Sequence, residues 1–124
     1  MATWTNDELA EIENEEELEL ASRRRDGGMR NPVTMWVVRD GNEVYVRSMH
    51  GRSGAWFQRT QTSHEGRIRA GGVEKEVTFA EADPAAHDRI DAAYRRKYRR
   101  YGESYVDPMT SPQVRAATIR LVPG

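Results

Sequence analysis

Residues Pro32 to Ser48, PVTMWVVRDGNEVYVRS, form two apolar runs on either side of a short polar segment. Pro32 to Arg39 is rich in branched and aromatic residues, which favour strands. Asp40-Gly41-Asn42 is typical of a tight turn, and Glu43 to Ser48 is predicted to return as the next strand. The stretch therefore predicts a β-hairpin in an antiparallel sheet.

Alternation of apolar and polar residues predicts four more strands. The first begins at Glu17 and ends before the turn Asp26-Gly27-Gly28. The others lie after the hairpin, at residues 64–70, 73–80 and 117–122. Six strands joined mostly by tight glycine turns, on a chain of this length, favour a barrel or a strongly curled antiparallel sheet.

Three helices complete the predicted secondary structure. Thr5-Asn6-Asp7-Glu8 is a capping box for a helix over residues 6–14. Helical spacing predicts a short helix from Ser53 to Gln61, after the third strand. Asp83-Pro84 is typical of a helix start. The long helix that follows carries one stripe at helical spacing, made of Ile90, Tyr94, Lys97, Tyr98 and Tyr101.

Length and charge limit the organisation of the chain. Its 124 residues predict a single domain spanning 1–124, with an acidic helical segment, 1–16, packed on it. Residues 7–19 carry eight of the twenty acids and no base, yet the net charge is −1. This near balance argues against nucleic-acid binding. The acidic segment and the basic faces either meet across a subunit contact or are simply solvated.

Several classes of protein are disfavoured by composition. No apolar run approaches the roughly 20 residues that span a bilayer, and the first residues do not resemble a secretory signal. The chain has no cysteine, and its three histidines lack the spacing of a metal site. We therefore expect a cytoplasmic protein with no metal and no membrane partner.

The turn after the third strand is unusually rich in hydrogen-bond donors. In VYVRSMHGRSGAWF, residues 44–57, the side chains of Arg47, Ser48, His50, Arg52 and Ser53 could converge on an anion. Strand alternation sends Arg47 and Ser48 to opposite faces, so the pair Ser48 and Arg52 is favoured. The alternative is that these are ordinary turn residues exposed to solvent.

Aromatic residues offer a second set of candidates. Trp36 and Trp56 could stack on a flat ring or belong to the core. His50 could serve as a proton donor or a phosphate ligand. The run Tyr94 to Tyr101 mixes arginines with tyrosines, a mixture found in single-strand nucleic-acid binders. Helical spacing instead places its tyrosines on the packing stripe.

The whole chain resembles an uncharacterised bacterial family of small proteins. The resemblance rests on WVVRDGNEVYVRSMHGRSGAWFQRTQTSHEGRIRAGG, IDAAYRRKY and TSPQVRAATIRLVP, which occur in that order and cover nearly all of residues 17–123. It implies no activity.

A more distant resemblance links the chain to the split-barrel flavin-binding superfamily, which includes pyridoxamine-phosphate oxidases and deazaflavin-dependent nitroreductases. It rests on Asp26 to Arg30, on Tyr45 to Ser48 and on Gly51-Arg52. It implies an α+β fold, a mainly antiparallel six-stranded split β-barrel. The barrel has an N-terminal helix, a short helix after strand 3 and a long helix near the C-terminus.

The same resemblance implies a homodimer with the cofactor between subunits. Arg30, Ser48 and Arg52 match positions that hold the cofactor phosphate. The motifs depart from those of both subfamilies. Gly51-Arg52-Ser53 replaces the Ser-Arg-Lys run of the oxidases, and Asp26-Gly27-Gly28 replaces the Lys-Ser-Gly of the nitroreductases.

Two functions follow as hypotheses. The first is a protein that binds FMN or a deazaflavin through its phosphate and acts as an oxidoreductase, with no catalytic residue assigned. The second is a non-catalytic ligand-binding or structural protein that keeps the barrel without a cofactor. The candidate cofactor-binding residues are Arg30, Trp36, Arg47, Ser48, His50, Arg52, Ser53 and Trp56.

Overall fold

The structure is a computed structural model that describes residues 3–124. Its strands are β1 (Glu17–Ser22), β2 (Val33–Trp36), β3 (Val38–Asp40), β4 (Glu43–Arg47), β5 (Glu65–Ala70), β6 (Val73–Glu81) and β7 (Thr118–Pro123). Its α-helices are α1 (Asn6–Asn14), α2 (Ala55–Ser63), α3 (His87–Lys97), α4 (Glu103–Val106) and α5 (Pro112–Arg115). Short 3₁₀ turns occupy Gly51–Ser53, Pro84–Ala86, Arg99–Tyr101 and Asp107–Thr110.

All strands belong to one antiparallel sheet in the order β2-β1-β5-β6-β7-β4-β3. The two edge strands, β2 and β3, are consecutive in the chain and are separated only by Val37. The segment 33–40 therefore pairs with β1 along its first half and with β4 along its second. This change of partner brings the two edges of the sheet together in a nearly closed barrel.

The predicted fold class is confirmed, with one difference in strand number. The strand predicted over Pro32 to Arg39 is divided at Val37, so the sheet has seven strands rather than six. An uninterrupted apolar run contains no turn residue that would indicate such a division. Among residues 3–124, no helix combines the length and the apolar character needed to cross a membrane.

The segment before β7 folds into short helical turns. Asp107–Thr110 is a 3₁₀ turn and α5 follows it directly. The Ser111 side chain accepts from the Val114 N–H and Pro112 occupies the first helical turn, an arrangement that favours a helix start.

Two apolar clusters stabilise the barrel. One fills its interior with residues from the strands, α1 and α2, and includes the fully buried Leu9 and Ile12 of α1. The capping box of Thr5 and Glu8 starts that helix as predicted. The other cluster lies between α3 and the outer faces of β3 and β4, and includes Tyr94.

Val37 is held where the strand changes partner. Its N–H donates to the Tyr98 hydroxyl oxygen at 3.0 Å, and its carbonyl accepts from Lys97 Nζ at 2.7 Å. The Tyr98 hydroxyl lies 2.6 Å from the carbonyl of Glu16, to which it donates. The Tyr98 ring stacks on Trp36, with centroids 3.9 Å apart. Residues at the end of α3 thus satisfy backbone groups that the sheet leaves unpaired.

Replacing Tyr98 by phenylalanine tests this account of barrel closure. The Y98F variant leaves the buried Val37 N–H without an acceptor, so we expect the free energy of unfolding to fall by about 1–3 kcal/mol. Urea denaturation measures the change. Tyr101→Phe is the control, because the contact of that hydroxyl with Arg100 is long, at 3.5 Å. Equal stability losses in the two variants would contradict the account.

Candidate functional site

Arg47, at the end of β4, is buried and bonded within the protein. Its Nη1 donates to Asp91 Oδ1 at 2.5 Å and to the Met109 carbonyl at 2.9 Å. Its Nε donates to Thr118 Oγ1 at 2.9 Å, and its Nη2 lies 3.3 Å from His87 Nδ1. The guanidinium therefore links β4 to α3, β7 and the turn before α5, and the Arg47 side chain is fully buried.

Asp91 completes this buried network by pairing with a second arginine. Arg115 Nε donates to Asp91 Oδ2 at 2.9 Å, and the same arginine pairs with Asp88 at 3.1 Å. Asp91 is 2% exposed. Burial, followed by the charges of Arg47 and Arg115, lowers the pKa of His87. The neutral ring is therefore favoured beside the Arg47 guanidinium.

Ser48 and Arg52, the pair favoured by the sequence, lie in different environments. Ser48 is fully buried, and its hydroxyl has no hydrogen-bond partner among the described residues. A Cβ at Gly54 would lie only 2.4 Å from that hydroxyl oxygen, so a larger residue at this position would displace the hydroxyl. Arg52 lies at the surface, where its Nη1 donates to Glu81 at 2.6 Å and to the Ala116 carbonyl at 2.8 Å.

The other candidates from the turn and the aromatic residues are also dispersed. Ser53 Oγ donates to the carbonyl of the exposed His50 at 3.0 Å. Trp36 packs on the Tyr98 ring, and the half-buried Trp56 packs against the barrel core. Of the eight candidate residues, only Arg30 lines the large groove described next.

A groove of about 1060 Å³ lies between the β1–β2 connection and α2, and we call it the basic groove. From α2 it receives residues at positions 55, 58, 59, 62 and 63, the spacing of one helix face. The opposite face, with Phe57 and Thr60, is buried in the protein. The lining residues are Arg23, Arg24, Arg25, Asp26, Gly27, Arg30, Ala55, Gln58, Arg59, Thr62, Ser63 and Glu65.

The connection that forms one wall is held to the sheet by Arg23. Its Nη1 donates to the Gly27 carbonyl at 2.9 Å, its Nε lies 3.1 Å from Glu65, and its Nη2 pairs closely with Glu76. Gly27 has φ of +90°, a conformation that glycine adopts readily. This wall is therefore an ordered loop tied to β5 and β6.

Carboxylates neutralise only part of the charge in the basic groove. Arg23 is paired as described, and Arg24 lies 3.4 Å from Asp26. Arg25, Arg30 and Arg59 form no salt bridge with any carboxylate of residues 3–124. The groove thus offers three guanidinium groups to an anion. The described residues contain no cluster of three or more His, Cys, Asp or Glu suited to a metal.

Four of the five groove arginines were missed by the sequence analysis. Arg23, Arg24 and Arg25 stand in a run just before the predicted turn at Asp26, and that run was the available signal. Arg59 lies on the predicted short helix, but only the packing of that helix shows which face is exposed.

The chain matches the profile of one protein family over residues 8–121, described as "Uncharacterized protein conserved in bacteria (DUF2255)". The chain belongs to this family. The match confirms the resemblance to an uncharacterised bacterial family. No curated protein sequence matches the chain.

Solved structures similar to this DUF2255 member confirm the split-barrel fold. A putative pyridoxamine 5'-phosphate oxidase from Listeria innocua is 21% identical, with a TM-score of 0.63 over 93% of this chain and 89% of that one. An F420-H2 dependent reductase is 11% identical, with a TM-score of 0.64 over 86% and 93%. The heme storage protein HutZ from Vibrio cholerae is 13% identical, with a TM-score of 0.65 over 96% and 89%. At these identities the likeness is one of fold.

Neutralising Asp91 should destabilise the DUF2255 chain strongly. Asp91→Asn leaves the Arg47 guanidinium buried without its counter-ion, so we expect the free energy of unfolding to fall by about 3–5 kcal/mol. Asp88→Asn, at an exposed partner of Arg115, should change it by less than about 1 kcal/mol. Chemical denaturation of both variants measures the difference. A small loss in Asp91→Asn would show that the buried pair contributes little.

His87 should make stability depend on pH in the mildly acidic range. Because its pKa is lowered in the folded state, the unfolded chain takes up the proton first as pH falls through the ordinary histidine range near 6.5. The free energy of unfolding should therefore decrease on acidification from pH 7.5 to pH 5.5. In His87→Gln this decrease should be smaller. Identical decreases in the two proteins would exclude His87 as the cause.

Proposed function

We propose that this protein binds a flavin-type cofactor, FMN or a deazaflavin, through the phosphate of the cofactor, and that the phosphate occupies the basic groove. The observation that carries the proposal is the set of three groove arginines, Arg25, Arg30 and Arg59, that lack a carboxylate partner. Unpaired arginines at an ordered concave surface favour a phosphate, because the planar guanidinium matches two phosphate oxygens at once.

The dimensions of the basic groove suit a ligand of this class. Its volume of about 1060 Å³ is at the upper end of typical ligand sites, roughly 300–1,000 Å³. Gln58, Thr62 and Ser63 add neutral hydrogen-bonding groups along α2, suited to a polar chain attached to the phosphate. Such sites usually bury most of the ligand, whereas this groove is open to solvent. A second subunit covering it, in the homodimer implied by the resemblance, is therefore part of the proposal.

A bound flavin would supply redox chemistry and the protein would supply binding and orientation, so the proposed activity is that of an oxidoreductase. Heme is a less suitable ligand for the basic groove. Its iron requires an axial ligand such as His, Cys, Met or Tyr, and none of the twelve lining residues is of these types.

The second candidate, a non-catalytic or structural barrel, has one observation in its favour. Two arginines at and after the end of β4 are already paired with carboxylates of the same chain, the buried Arg47 with Asp91 and the surface Arg52 with Glu81. Arginines that are already paired are less available to bind a cofactor phosphate, as a barrel without a cofactor would require. Binding of a phosphorylated ligand without turnover of any electron acceptor would favour this candidate.

Titration with FMN and with riboflavin, which lacks the phosphate, tests the proposal. We expect the purified protein to bind FMN or a deazaflavin, detected by visible absorbance and by a thermal shift. Arg59→Gln should weaken FMN binding by about tenfold, the equivalent of one charge-assisted hydrogen bond. The affinity for riboflavin should not change in this variant.

Arg96→Gln is the matched control, because Arg96 is an exposed arginine on α3 outside the basic groove. It should bind FMN as the unmodified protein does. The proposal fails if neither flavins nor deazaflavins shift the melting temperature. It also fails if Arg59→Gln and Arg96→Gln bind FMN equally well.

A further inference from the structure

A second cavity, of about 260 Å³, lies on the outer face of β1 and β5 and shares Arg30 with the basic groove. We call it the small cavity. Its apolar side chains are those of Ala21, Met29 and Pro32; Ile68 also borders it, but the Ile68 side chain is buried in the barrel core. The polar side chains that line it are Glu19, Arg30, Arg67, Arg69 and Glu74.

One of the two carboxylates of the small cavity, that of Glu19, is paired with Arg69. Arg69 Nη2 donates to Glu19 Oε1 at 2.6 Å, and Arg69 Nε donates to the same oxygen at 3.1 Å. Glu74 stands directly opposite Arg69 in the β5–β6 register. The hydrogen bond to Glu19 and the charges of Glu19 and Glu74 raise the pKa of Arg69. Arg69 therefore compensates Glu19 but not Glu74 as well, and the five charged side chains of the lining, with Arg30 and Arg67, leave a net charge of +1.

Arg67 has no carboxylate partner, because the glutamate opposite it on β6 pairs with another arginine. It stands opposite Ala21 on β1 and Glu76 on β6. Glu76 pairs with Arg23, the residue that holds the wall of the basic groove. Arg67 consequently forms no salt bridge with any carboxylate of residues 3–124. The same is true of Arg30, so two uncompensated guanidinium groups flank the apolar lining.

We infer that the small cavity binds a small carboxylate with an apolar body, held by Arg67 and Arg30 through the carboxylate and by Met29 and Pro32 through the body. Two arginines match the oxygens of a carboxylate, and the volume admits only a small molecule. Because Arg30 also lines the basic groove, the carboxylate lies next to the proposed cofactor site. Its role as a substrate beside the cofactor rests on the proposed function; its binding does not.

Benzoate is the probe, and benzamide, with the same ring but no charge, is the matched ligand. Calorimetry or ligand-observed NMR on the full chain should detect benzoate binding and at least about tenfold weaker binding of benzamide. Arg67→Gln should weaken benzoate binding by about tenfold, and Arg67→Lys should weaken it less. Arg96→Gln, at an exposed arginine on α3 outside the small cavity, should have a much smaller effect.

The outcomes separate this inference from the proposed function when FMN is titrated into the same samples. Equal binding of benzoate and benzamide, or equal effects of Arg67→Gln and Arg96→Gln, overturns the inference. FMN binding without benzoate binding rejects the inference alone, whereas benzoate binding without flavin binding rejects the proposed function alone. Arg67 is exposed, so its variants are expected to fold, and circular dichroism checks that they do.

Discussion

The closed form of the barrel depends on the backbone of Val37. Because the chain exchanges β1 for β4 at this residue, neither neighbouring strand can accept its N–H, and that group is buried. The Tyr98 hydroxyl accepts the N–H, and the Lys97 ammonium donates to the carbonyl. Burial lowers the pKa of Lys97 to about 8, because the ammonium group is largely removed from solvent. The long helix α3 is therefore part of the closure.

The same helix bonds to the barrel a second time through Asp91. Its carboxylate meets Arg47 at the end of β4, where the strand passes into the turn that leads to α2. A buried arginine without its partner carries a large desolvation penalty, so this contact holds the end of the strand and the start of the turn. Since α2 forms one wall of the basic groove, the position of α3 and the shape of the proposed ligand site are connected through β4.

The distribution of carboxylates decides where this arginine-rich chain can bind an anion. Glu65 and Glu76 engage Arg23, and Asp26 engages Arg24, which orders the loop between β1 and β2. Because Glu76 pairs with Arg23, the residue opposite Glu76 on β5, Arg67, has no carboxylate partner. One ion pair thus both shapes the wall of the basic groove and frees a charge in the small cavity. Arginines paired with carboxylates of the chain are less able to bind an external anion, whereas the unpaired arginines remain available for one.

Local sequence was sufficient for most of the elements and for much of the fold, but not for the division of the strand at Val37 or for α4 and α5. The capping box at Thr5, the glycine turns and the alternating strands act over a few residues, so each could be predicted with the fold class. The stripe that includes Tyr94 and Tyr98 also predicted the packing face of α3. The resemblance to a bacterial family was confirmed over residues 8–121. Of the eight site residues predicted from the sequence, only Arg30 lines the basic groove.

What the sequence alone determined is therefore most of the helices and strands, their antiparallel arrangement and an abundance of anion-binding side chains. Only the tertiary structure decided where the edges of the sheet meet and which arginines remain unpaired. Arg47 finds Asp91, and Arg52 finds Glu81, at separations of 44 and 29 residues. Such partners are set by the order of strands in the sheet and by the docking of α3. Hydrophobic periodicity assigns a side chain to a face, but it does not select the charge that will stand opposite it.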